Sequence, residues 1–84
     1  MITIQNSKFN PDTINIMAGS TVTWTNNDSI PHTVVSDTGA FKNITINKGD
    51  NSQYIFYKEG TYNYHDSKNP SMTGKIIVTR SKGY

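Results

Sequence analysis

The 84-residue chain contains no cysteine. That excludes a disulfide framework, a thiolate metal ligand and a cysteine nucleophile, and leaves the redox compartment open. No apolar run approaches the roughly 18 residues that a spanning helix needs, and no basic-then-apolar leader opens the chain. Either an intracellular protein or one whose signal and anchor lie outside this sequence is expected. Charge is sparse: eight Lys and Arg against six Asp and Glu give a net of +2. These residues are scattered without a basic block or stripe, which argues against nucleic acid as a partner. Helical periodicity is missing throughout. Asn27-Asp28-Ser29 and Asn43-Ile44-Thr45 match the glycosylation acceptor pattern, but a chain this rich in Asn produces such tripeptides by chance.

What the sequence does have is period-two alternation, rich in Ile, Val, Thr and Tyr and punctuated by Gly, Pro, Asn and Asp. It predicts an all-β domain over residues 1–80, with strands at Ile2–Gln5, Thr13–Met17, Thr21–Asn26, His32–Ser36, Asn43–Ile46, Ser52–Tyr57, Thr61–His65 and Lys75–Thr79. Eight short strands need two packed layers to bury their apolar faces, so a two-sheet sandwich is expected. Ile14, Ile16, Val22 and Trp24 form one candidate core face, and Tyr54, Phe56, Tyr62 and Tyr64 form another. Trp24 is placed at the centre. Gly19-Ser20 and Glu59-Gly60 are read as hairpin turns. Residues 81–84 lack periodicity and are expected to fray.

The stretch Tyr62-Asn-Tyr-His-Asp-Ser-Lys-Asn-Pro-Ser-Met-Thr-Gly74 raises a chemical question. Alternation sends Tyr62, Tyr64 and Asp66 to one face, and Asn63 and His65 to the other. If the tyrosines face the core, the Asp66 carboxylate does too. A buried carboxylate finds a partner, neutralises or coordinates a metal.

Three segments carry a resemblance: Phe9 to Asp28 (FNPDTINIMAGSTVTWTNND), Pro31 to Ser36 (PHTVVS) and Gly60 to Val78 (GTYNYHDSKNPSMTGKIIV). In that order they resemble the cupredoxins, the Greek-key β-sandwiches of blue copper proteins, and within them the plastocyanin-like and amicyanin-like type. The resemblance implies a copper site built from one His in the first loop and a Cys-x-x-His-x-x-Met run in the last. Those positions fall on His32, Asp66, Asn69 and Met72, so the Cys and the second His are replaced. A blue site needs a thiolate, two imidazoles and a weak axial thioether. Carboxylate and amide oxygens do not supply them, and one imidazole falls below the three good ligands of a catalytic zinc site.

The expected state is therefore a cupredoxin-like domain with no cofactor, its copper site absent or degenerate, either as a natural copper-free relative or as an engineered variant with altered ligand positions. It would act as a non-redox binding or structural module, with Asp66 hydrogen-bonded to His32. The alternative is a rewired site in which His32 and Asp66, with Met72 or Asn69, bind Cu(II) or Zn(II) weakly for electron transfer or metal handling. Thr33 and Ser67 are candidates to orient the pocket with their hydroxyls or to satisfy loop backbone. Met72 is read as packing and His65 as a solvated side chain. A protein partner is expected at the His32 end, over an apolar patch of Ile30, Pro31, Pro70 and Met72. The resemblance further implies an extracytoplasmic location, and a monomer is expected. No nucleophile elbow, paired-carboxylate spacing or phosphate-cradling glycine loop suggests an enzyme.

Overall fold

Alternation in the sequence becomes nine strands in the computed structural model, which describes residues 1–80. They are β1 (Ile2–Gln5), β2 (Lys8–Asn10), β3 (Thr13–Met17), β4 (Ser20–Asn26), β5 (His32–Ser36), β6 (Ile44–Ile46), β7 (Asn51–Phe56), β8 (Gly60–Asp66) and β9 (Asn69–Thr79). The expected tail from residue 81 lies outside the described residues. One sheet has the order β2-β1-β4-β7, and the other β3-β9-β8-β5-β6. β1 and β4 run parallel, as do β3 and β9, and every other neighbouring pair is antiparallel. The all-β sandwich read from the sequence is therefore the observed architecture, and no helix occurs among the described residues.

The core lies between the sheets, where inward positions of both meet. Ile2, Ile4, Val22, Trp24 and Phe56 from one sheet are buried against Val34, Tyr64, Met72, Ile76 and Val78 from the other. Trp24 is wholly buried. Its indole lies 5.7 Å from the Tyr64 ring at an edge-on 89° and 6.5 Å from both Phe41 and Phe56. Edge-on aromatic contacts of this kind add about 0.5–1.5 kcal/mol beyond area burial.

The structure corrects three readings. Gly19 and Gly60 do not close hairpins, because β3 and β4, and likewise β7 and β8, belong to different sheets. Gly19, at φ +91°, turns the chain across the sandwich instead. A ninth strand, Lys8–Asn10, escapes alternation because it is too short to show a period. The last strand begins at Asn69, not Lys75, since the turn there is only Ser67-Lys68. Pairing places Asp66 opposite Asn69 but His65 opposite Thr73, so Pro70, Ser71 and Met72 bulge out of the ladder. A bulge accommodates a proline that has no N–H to donate.

Gly74 is set by Tyr64, its cross-strand partner. A Cβ at Gly74 would overlap the Tyr64 ring, standing 2.6 Å from its Cε1 and closer still to its Cζ. Neither the Tyr64 hydroxyl nor the Trp24 indole N–H, both buried, reaches a hydrogen-bond partner. Burial pushes the Tyr64 hydroxyl up to about 12, with a smaller opposing pull from the Trp24 indole N–H, which stands near it but outside hydrogen-bond geometry, and a further push from Asp12.

This packing has two measurable consequences. Gly74→Ala is expected to cost about 3 kcal/mol by urea unfolding, and much less in a Tyr64→Leu background; equal costs in both backgrounds would contradict the overlap. Because the folded value of Tyr64 exceeds its ordinary 10.0, the associated stability is present below pH 10 and lost as pH rises towards 12. Ultraviolet titration should show one of the five tyrosines ionising late, and Tyr64→Phe should abolish that late step without loss of stability at neutral pH. Five tyrosines titrating together near their ordinary value would refute the assignment.

Candidate functional site

One end of the sandwich gathers the β1–β2 turn, the β4–β5 connection, the start of β5 and the β8–β9 hairpin. Period two carries His32 inward at the start of β5 and Asp66 inward at the end of β8, each 3% exposed. Their side chains meet: His32 Nδ1 lies 2.7 Å from Asp66 Oδ2. The other ring nitrogen is also engaged, with Nε2 at 2.8 Å from Asp28 Oδ2. Each contact requires a proton between its partners. An imidazole donating from both nitrogens to two ionised carboxylates satisfies them together.

Backbone amides neutralise the outer ends of this bridge. The Asn6 and Ser7 N–H groups donate to the two Asp28 oxygens at 2.7 and 3.0 Å. Both residues adopt positive φ, +54° and +56°, as a two-residue turn with right-handed twist requires. Asp28 therefore anchors a turn that non-glycine residues adopt at some cost. The Thr33 and Lys68 N–H groups approach Asp66 Oδ1 at a longer 3.4 Å. Asn26, wholly buried, donates to the Ile30 and Ile46 carbonyls at 2.8 and 2.9 Å and accepts from the Asp28 N–H at 2.9 Å. It fixes the loop that carries Asp28.

Partial burial pushes the Asp28 carboxyl up, but the Ser7 N–H, His32 and the Asn6 N–H outweigh it and hold the carboxyl below its ordinary 3.8.

None of the remaining candidate residues makes a hydrogen bond to the His32 ring among the described residues. Met72 is buried in the hydrophobic core. The Asn69 side-chain oxygen accepts from the Ser71 hydroxyl at 2.9 Å. The Thr33 hydroxyl pairs with Thr45 across β5 and β6 at 3.2 Å, so Thr33 serves Asp66 through its backbone only. Ser67 contributes its N–H, which donates to the Thr33 carbonyl at 3.0 Å. His65 faces outward but is not a lone solvated side chain, since its Nδ1 lies 2.6 Å from Asp37 Oδ1. Ile30, Pro31 and Pro70 are exposed at this end.

The donor set does not fit copper or zinc. The two ring nitrogens point away from each other, so Asp28 and Asp66 sit on opposite sides of the imidazole and share no centre with it. A metal at either nitrogen would have to displace a carboxylate contact. No group of three or more His, Cys, Asp or Glu side chains is disposed to hold a metal among the described residues.

Asp28 and Asn26 are the residues that sequence reading missed. Their signal was parity: Val22 and Trp24 face inward, so Asn26 must too. Asp28 stands four residues before His32 in the same connection.

Comparison with known proteins agrees with this architecture. A sequence model described as a cupredoxin-like domain matches residues 1–78. Amicyanin of Paracoccus denitrificans is 31% identical over 83 residues, covering 93% of this chain, and the chain spans 63% of that protein's length. Amicyanin-alpha of Methylorubrum extorquens is 34% identical over 82 residues, covering 92% of this chain and 69% of its own. Among solved structures, a purple cupredoxin from Nitrosopumilus maritimus superposes with a TM-score of 0.83 at 34% identity, covering 93% of this chain and 97% of its own. A reduced amicyanin variant gives a TM-score of 0.86 at 30% identity, covering 93% of this chain and 79% of its own.

The bridge makes a graded prediction. Asp66→Ala strands a buried ring nitrogen and should cost about 3 kcal/mol, while Asp28→Asn, nearer solvent, should cost about 1–2 kcal/mol. A carboxyl held below 3.8 contributes stability above that pH and loses it as pH falls through the lowered folded value. Wild type and Asp28→Asn should therefore converge in acid unfolding. A gap that widens on acidification, or an Asp66→Ala cost under about 1 kcal/mol, would contradict the bridge.

Proposed function

The chain belongs to the cupredoxin-like domain family, and from that premise we propose that it is a non-redox member, a binding or structural module whose copper site is degenerate. The observation that carries this reading is the full engagement of His32. Both ring nitrogens face carboxylates, and a histidine must present a bare nitrogen to ligate a metal. Electron transfer of the blue-copper kind also needs a thiolate, and the chain contains no cysteine.

In place of a metal cross-link, the site has a polar one joining the same connections. The module's partner is taken to be a protein that docks over exposed Ile30, Pro31 and Pro70, around the buried bridge. An extracytoplasmic location accompanies this reading through the family resemblance.

Calorimetric titration of the protein with Cu(II) and with Zn(II) at neutral pH tests the proposal. The expected result is no saturable site tighter than about micromolar, with thermal stability indifferent to chelator. One-to-one binding tighter than that, abolished by both His32→Ala and Asp66→Ala, would overturn it in favour of a rewired metal centre.

A further inference from the structure

Each sheet ends in two edge strands, and an unguarded edge is a template for pairing with another chain. Three edges differ from the fourth. β2 has three residues, carries Lys8 and ends before Pro11; β6 also has only three; β3 follows Pro11 and Asp12 directly. β7 has six residues, Asn51–Phe56, with no proline and no charge. It pairs with β4 alone, so alternate backbone N–H and C=O groups along its other side are free of the ladder. A cavity of about 520 Å³ lies alongside, lined by Tyr54 to Tyr57, Phe41 and Tyr62. On its outer face β7 exposes Ile55 at 40%, and Tyr57 at 76% follows at its end.

Charge indicates what fits this edge. Asp50 precedes β7 and Lys58 follows it, both exposed, and neither has an ion-pair partner among the described residues. We propose that β7 pairs antiparallel with β7 of a second copy about a two-fold axis at Tyr54, joining two four-stranded sheets into one. In that register Asp50 of each copy stands opposite Lys58 of the other, Gln53 stands opposite Ile55, and the two Tyr54 rings meet at the axis. The uncharged strand places no like charges face to face, which would oppose self-pairing. β3 has Asp12 at one end and no cation at the other, so charge sets no such register there. The expected monomer then persists only below the dissociation constant of the pair.

Sedimentation equilibrium over a concentration series tests the pairing, with far-ultraviolet circular dichroism as the check on folding. The intact chain should dimerise reversibly. Asp50→Lys and Lys58→Asp, each creating two repulsive contacts, should each weaken dimerisation about tenfold. Mixed together, the two variants should associate with each other. The lysine introduced in one then meets the aspartate introduced in the other, and the unchanged Lys58 of the first meets the unchanged Asp50 of the second. Hydrogen exchange should slow in β7 amides, and in no other edge strand, as concentration rises. A monomer at all concentrations, a dimer indifferent to charge reversal, or a mixture no tighter than its components would overturn the proposal.

Discussion

A buried imidazole held between two carboxylates is the interaction on which this end of the sandwich depends. Charge in a dry interior costs several kcal/mol unless it is paired and its remaining hydrogen-bonding capacity is filled. Here His32 is paired twice, and the carboxylates are met by the amides of Asn6, Ser7, Thr33 and Lys68. The bridge thereby ties together three connections, the β1–β2 turn, the β4–β5 connection and the β8–β9 hairpin. It holds a turn of two positive-φ residues at one end and a two-residue hairpin at the other. Members of such a network strengthen one another, and a metal at either ring nitrogen of His32 would have to displace a carboxylate contact.

Much of the fold was legible because the chain alternates so regularly. Inward placement of Val22, Trp24, Tyr64 and Asp66 follows from counting by two, and with it the chemical question posed by Asp66. Topology was less legible. Glycine at positions 19 and 60 signals a change of direction, yet nothing local distinguishes a hairpin from a crossing between sheets. That choice is made by which strands bury each other's faces. The connection between β8 and β9 reads as longer in the sequence, because Asp66-Ser67 and Asn69-Pro70 both carry turn chemistry, but pairing of Asp66 with Asn69 and a bulge after it confine the turn to Ser67-Lys68.

At the site, sequence order brought His32 and Asp66 together only through the resemblance, since 34 residues separate them. Asp28 was hidden by its ordinariness. An Asp in a polar connection is usually a turn residue, and this one is indeed that, capping Asn6 and Ser7 from a distance. Its second role requires the β1–β2 turn and His32 to converge, which is a property of β1 lying parallel beside β4. The sheets carry the family's framework, and at their end stands a histidine held between two carboxylates.

The most direct measurement of this bridge is the protonation of the His32 ring, read at neutral pH by nitrogen-15 NMR of the imidazole nitrogens. The bridge predicts that Nδ1 and Nε2 both carry a proton and both show hydrogen-bonded shifts. A ring with one bare nitrogen, free to accept a metal, would contradict it.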